Sequence, residues 1–125
     1  MKIFLIEDDD IYGAFIKQAL LNESFQVEWF KSAEEAESHL LKVKPDVLIV
    51  DYKLPGKTGI ELFEDIKDSL TDVQKVIMLS AIDDGNMVLD FIKKGVRDYV
   101  IKDDQVVESL ITVLQGGDDD YYLFN

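Results

Sequence analysis

Cysteine is absent from the 125-residue chain, which excludes disulfide scaffolds, thiolate metal centres and cysteine nucleophiles. Basic residues are scarce: 13 Lys and Arg stand against 26 Asp and Glu, a net charge of −13. A body this acidic repels phosphate backbones and anionic bilayers, so direct nucleic-acid or membrane binding by this segment is not expected. Histidine occurs once, and His39 reads as a helix residue far from the acidic cluster, not as a phosphohistidine or metal ligand. No apolar run approaches the ~20 residues of a membrane span, and Met1–Glu7 is too short for the apolar part of a signal peptide. A cytoplasmic location is expected.

What is present is a core and a regular alternation. Hydrophobic residues make up 47% of the chain, enough for the single domain that this length suits. Lys2–Ile6, Val47–Val50 and Val76–Leu79 are nearly continuous apolar runs, as in strands buried on both faces. Gln26–Phe30 and Asp98–Ile101 are more mixed, as edge strands are. Helical stripes separate these runs: Tyr12, Phe15, Ile16, Ala19 and Leu20; Ala33, Ala36 and Leu40; Leu62, Phe63, Ile66 and Leu70. Two more follow, Val88, Phe91 and Ile92, then Val107, Leu110, Ile111 and Leu114. Ser32–Glu35 and Thr58–Glu61 have the spacing of capping boxes, Gly95 offers a helix stop, and Pro45 bars the second helix from continuing. Trp29, Phe30, Phe63 and Phe91 read as core.

The order is (βα)5, and right-handed crossovers make it an α/β fold. The expected architecture is a doubly wound, three-layer sandwich with a parallel, flavodoxin-like sheet of order 2-1-3-4-5. In such sheets ligands sit at the carboxyl ends of the strands, beside the switch point between strands one and three. Residues 1–115 form the expected domain. Residues 116–125, beginning Gly116-Gly117-Asp118-Asp119-Asp120, shift abruptly in composition and read as a linker stub or partner-binding tail.

The residues at those strand ends carry chemistry. Strand one ends in Glu7-Asp8-Asp9-Asp10, strand three in Asp51, strand four in Ser80 and strand five in Lys102. Adjacent strands lie ~4.8 Å apart, so Glu7, Asp8 and Asp51 should converge. Like charges that close repel unless a cation neutralises them, and an all-oxygen set with open positions suits Mg²⁺. Single acids after strands are commonly helix caps, which is the reading for Asp9 or Asp10. The conjunction of acid pair, aspartate, hydroxyl and lysine on one sheet edge is what singles out a site.

Phe4–Asp9, Pro45–Gly59, Leu79-Ser80-Ala81 and Gly95–Lys102 together resemble the receiver domain of two-component response regulators over roughly residues 2–115. The resemblance implies that Asp51 accepts a phosphoryl group from a sensor histidine kinase or phosphotransfer protein. It implies Mg²⁺ held by Glu7, Asp8, Asp51 and the backbone carbonyl of Lys53. Lys102 would pair with a phosphoryl oxygen, Ser80 would hydrogen-bond another, and Tyr99 would be the aromatic that turns with Ser80. The output face would be helix four, strand five and helix five, which is also the candidate homodimer contact. Lys93, Lys94 and Arg97 near it otherwise read as solvated helix-end charge. Lys53 and Ile82 would flank the path of hydrolytic water and set the phosphoryl lifetime. Such a protein is a signalling switch and not an enzyme turning over an outside metabolite.

One position departs from the family, which has proline after the lysine, commonly with a cis bond, where this chain has Asp103. A trans bond is expected there, because cis before a non-proline residue costs ~2.5–4 kcal/mol, with Asp103 and Asp104 capping the fifth helix. Among rivals, an FMN carrier would not place Glu7–Asp10 against a flavin phosphate. A phosphatase of the haloacid dehalogenase type would want an acid where Lys53 stands. A pseudo-receiver would lack Asp51 or Lys102. The remaining alternative is the N-terminal receiver piece of a larger DNA-binding transcription regulator.

Overall fold

Strands and helices alternate along the chain: β1 (Lys2–Ile6), α1 (Asp10–Asn22), β2 (Gln26–Phe30), α2 (Ala33–Leu40), β3 (Val47–Asp51), α3 (Gly59–Ile66), β4 (Lys75–Ser80), α4 (Gly85–Lys93), β5 (Asp98–Ile101) and α5 (Val106–Leu114). A short 3₁₀ turn at Lys67–Ser69 extends α3. The computed structural model describes residues 1–81 and 85–116, so the expected tail beyond Gly116 lies outside the described residues, as does Ile82. All strand pairs are parallel and the sheet order is β2-β1-β3-β4-β5, as the apolar grading of the strands predicts.

Period-two alternation splits each central strand between two apolar layers. Phe4 and Ile6 of β1 join Leu62 and Phe63 of α3, Ala33 and Ala36 of α2 and Phe91 of α4 on one face. Ile3 and Leu5 join Ile16 and Leu20 of α1 with Leu110 and Val113 of α5 on the other. Because both faces are covered, β3 is buried from end to end, including the aspartate that closes it. The stripes are right with two exceptions. Phe15 is 50% and Ile92 45% exposed, since each stands at the margin of its helix's inward arc. On α1 the inward place is taken by Gly13, where an added Cβ would lie 2.1 Å from the Trp29 ring.

The caps set where the helices begin and end. Thr58 and Glu61 form a reciprocal capping box at α3. At α2 the Ser32 hydroxyl accepts the Glu35 N–H, so the serine supplies the cap bond, and the reciprocal carboxylate half predicted there is not formed. Gly95, at φ 101°, stops α4 as predicted, with the Val96 N–H donating back to the Phe91 carbonyl.

Candidate functional site

Strand register brings the site together. Ile6 pairs with Val50, Asp51 with Leu79, and Ser80 with Ile101. The residues at or just past these pairs, Glu7, Asp51, Ser80 and Lys102, therefore form one row across four strands. Backbone bonds past the strands hold it: the Tyr52 N–H donates to the Leu79 carbonyl and the Lys102 N–H to the Ser80 carbonyl, each at 2.8 Å. The first turn of α3 abuts β3 so closely that a Cβ on Gly59 would lie 2.5 Å from the Asp51 carbonyl oxygen.

Glu7, Asp8 and Asp51 each present a carboxylate oxygen within 4.8 Å of the other two. Glu7 is fully buried, Asp51 is 6% exposed and Asp8 faces solvent. Lys102 crosses from β5 as the counter-charge, its Nζ 2.6 Å from Glu7 Oε1 and 3.2 Å from Asp51 Oδ1. Burial pushes the Glu7 carboxyl above its ordinary pKa, with the Asp51 charge adding to it against the Lys102 hydrogen bond. Burial also opposes the charge on Lys102, but the Glu7 bond and both carboxylates outweigh it and hold the ammonium pKa above its usual value. Four of the predicted residues, Glu7, Asp8, Asp51 and Lys102, thus converge on one charge cluster. They line a cavity of about 250 Å³ together with Lys53 and Ser80. A cavity of about 550 Å³ near Phe63, Lys75 and Arg97 is larger, but it holds none of these groups.

The expected switch residues, Ser80 and Tyr99, are placed less centrally. Ser80 is buried, and its hydroxyl donates to the Met87 sulfur of α4 at 3.3 Å. Tyr99 is half-buried against the α2–α4 layer. Lys53 is exposed at the mouth of the site. Its loop is fastened by Lys57, which bonds Glu37 of α2 at 2.6 Å and Asp65 of α3 at 2.5 Å.

The peptide bond after Lys102 is trans, as expected without proline. No described peptide bond is cis. The Asp103 carboxylate accepts the Gln105 N–H at 2.9 Å and its carbonyl accepts the Val106 N–H. The N-cap of α5 is nonetheless Gln105, which makes no side-chain cap bond, and Asp104 caps nothing among the described residues. Asp103 begins its turn two residues before the N-cap, so its carboxylate is used before the helix starts.

Three residues of the site escape a reading by motif. Asp9 caps α1 as expected, accepting the Tyr12 N–H. That capped turn sets the Tyr12 ring 4.5 Å from Lys102 Nζ, a cation–π contact. Met87 meets Ser80, and Trp29 donates its indole N–H to the Glu7 carbonyl at 2.8 Å. Only the glycine at Gly13, one helix turn past the acid pair, hints that something large lies over this segment.

Comparison with known proteins agrees with the geometry. The profile described as response regulator receiver domain matches residues 3–114. This chain belongs to the response regulator receiver domains. It is 34% identical to chemotaxis protein CheY of Listeria monocytogenes over 88% of this chain and 95% of that one. It is 33% identical to the phosphate regulon transcriptional regulatory protein PhoB of Rhizobium meliloti, over 81% of this chain and 45% of that one. The chain spans about half the length of the transcriptional regulators it matches. Among solved structures, the BeF3-activated N-terminal receiver domain of Klebsiella pneumoniae RstA superposes with a TM-score of 0.83 at 26% identity, over 92% of this chain and 96% of that one. Receiver domains are signalling switches that interact with histidine kinases or phosphotransfer proteins and bind Mg²⁺ at an acidic pocket; here the acidic cluster is Glu7, Asp8 and Asp51. No helix among the described residues is long and apolar enough to cross a membrane.

Proposed function

We propose that this receiver is a working phosphoacceptor and that Asp51 is its acceptor. The observation that carries this is the bridge from Lys102 to both Glu7 and Asp51, beside an exposed Asp8, at the carboxyl end of the sheet. A carboxylate oxygen of Asp51 attacks the phosphorus of a phosphohistidine on a sensor kinase or phosphotransfer protein. The P–N bond breaks and its electron pair leaves with the imidazole. Phosphoryl transfer needs positioning and charge neutralisation more than covalent help, and this cluster is built for both. Glu7, Asp8, Asp51 and the Lys53 carbonyl would hold Mg²⁺, which when bound neutralises phosphoryl oxygen charge. Lys102 then exchanges a carboxylate for a phosphoryl oxygen, a like-for-like charge-assisted bond.

The output follows from what Ser80 gives up. A thioether is a weak acceptor, so turning the hydroxyl from Met87 toward a phosphoryl oxygen exchanges a weak bond for a strong one and releases a contact to α4. Tyr99 turns with it, and the α4-β5-α5 face changes. Leu89 and Ile92 are 55% and 45% exposed on α4, which suits that face to a homodimer or partner contact. The domain works in the cytoplasm, where its kinase donors present phosphohistidine. A second reading, the receiver part of a larger DNA-binding regulator, is favoured by the half-length match to transcriptional regulators.

Acetyl phosphate with Mg²⁺ should add one phosphoryl mass to the wild type and none to Asp51→Asn. Equal labelling of the variant rejects the assignment, and an unlabelled wild type leaves the pseudo-receiver. The phosphoryl lifetime should be long. Lys53 offers only donors and cannot accept a proton from water, and the apolar, β-branched Ile82 offers neither donor nor acceptor. Phosphoryl decay in Lys53→Asn combined with Ile82→Glu should be faster than in wild type; an unchanged decay rules these two positions out.

A further inference from the structure

We infer that Trp29, a β2 residue outside the acidic cluster, is a positioning residue for the metal-binding loop. The inference rests on the Mg²⁺ site proposed above. Every polar group of Glu7 is used. Its N–H donates to the Phe30 carbonyl, Oε1 accepts from Lys102, Oε2 accepts the Asp9 N–H, and its carbonyl accepts the Trp29 indole N–H at 2.8 Å. The last of these fixes the peptide plane joining Glu7 to Asp8. That plane decides where the exposed Asp8 carboxylate can point, since Asp8 has no buried surroundings of its own to orient it.

The indole is itself held on three sides. Its strand partner is Leu5 of β1, its ring lies on Gly13 where no side chain would fit, and Lys31 stands 5.8 Å over the ring while bonding Asp10. A bulky ring locked by a helix glycine, with its one donor on a carbonyl between two acidic ligands, passes the rigidity of the sheet to the loop. Packing alone would be served as well by phenylalanine; the N–H is the added element.

The same residue is the chain's single tryptophan, so its indole N–H gives one resonance whose assignment is unambiguous. In ¹⁵N spectra of the wild type, the indole N–H should exchange slowly with solvent and shift on addition of Mg²⁺. Trp29→Phe, which keeps an aromatic ring and deletes the donor, should bind Mg²⁺ about five-fold more weakly by calorimetry, the worth of one neutral hydrogen bond. Leu40→Ala on α2, packed against the opposite layer, should lose stability and keep wild-type Mg²⁺ affinity, which separates positioning from general loosening. Wild-type affinity in Trp29→Phe overturns the inference and leaves the Mg²⁺ site standing. An indole resonance that is unprotected and indifferent to Mg²⁺ overturns it too, whether or not the variant folds. A wild type that binds no Mg²⁺ overturns both.

Discussion

Lys102→Met is expected to lose about 3–5 kcal/mol of stability in metal-free buffer at pH 7, the range for removing one partner of a buried ion pair. Glu7 and Asp51 are 1% and 8% exposed at their side chains and share this one ammonium, itself 16% exposed. Methionine keeps the length of the stem but leaves two carboxylates facing each other without a counter-charge. The pH dependence fixes the cause. Glu7 already titrates above its ordinary value through burial and the Asp51 charge, with Lys102 pulling the other way. Removing Lys102 raises it further. In that variant the folded state holds a proton that the unfolded state releases near pH 4.5, so stability falls as pH rises from there through the raised pKa. The deficit relative to wild type should therefore shrink on going from pH 7 toward pH 5, where a protonated Glu7 needs no counter-charge. Urea denaturation at the two pH values checks this. A loss under about 1 kcal/mol at pH 7 would mean that the carboxylates are solvated and the bridge is worth no more than a surface pair.

The fold was legible because the strands of this chain are grouped by burial. A sheet covered on both faces demands continuous apolar runs, and β1, β3 and β4 supply them, so order and layers follow from composition and crossover handedness. The site's charged members were legible for a related reason. A charged residue ending an apolar run has few places to be other than the sheet's carboxyl edge, and Glu7, Asp51 and Lys102 are all of that kind. What stayed hidden came from contacts between elements distant in sequence. Trp29 and Tyr12 sit in strand and helix patterns that a core would produce equally well. Only folding brings the indole N–H to Glu7 and the Tyr12 ring to Lys102. Phe15 and Ile92 failed for a geometric reason: helical spacing marks a stripe but not its width, and both lie on its margin. The Asp103 turn was half legible, since its carboxylate does hold a backbone N–H but the helix starts two residues later than a simple cap requires.

The order of melting temperatures between wild type and Asp8→Ala should invert when Mg²⁺ is added. In the metal-free protein Lys102 is one ammonium set against two buried carboxylates, and Asp8 brings a third carboxylate oxygen within 4.8 Å of them. Removing Asp8 relieves repulsion there and takes away no bond into the core, because its side chain faces solvent. Asp8→Ala should accordingly melt at or slightly above wild type in the presence of a chelator. A cation that binds only the folded form stabilises it by RT ln(1 + [L]/Kd), about 2.7 kcal/mol at a hundred times Kd. Wild type should gain several degrees from saturating Mg²⁺, whereas Asp8→Ala, lacking the one carboxylate ligand open to solvent, should gain little. Calorimetric melts of both proteins with chelator and with Mg²⁺ give all four values. An equal Mg²⁺ increment in the two would place the ion elsewhere, with Asp118, Asp119 and Asp120 as the next acidic run to substitute. A lower metal-free melting temperature in the variant would show instead that Asp8 supports the fold and that its charge is not in excess there.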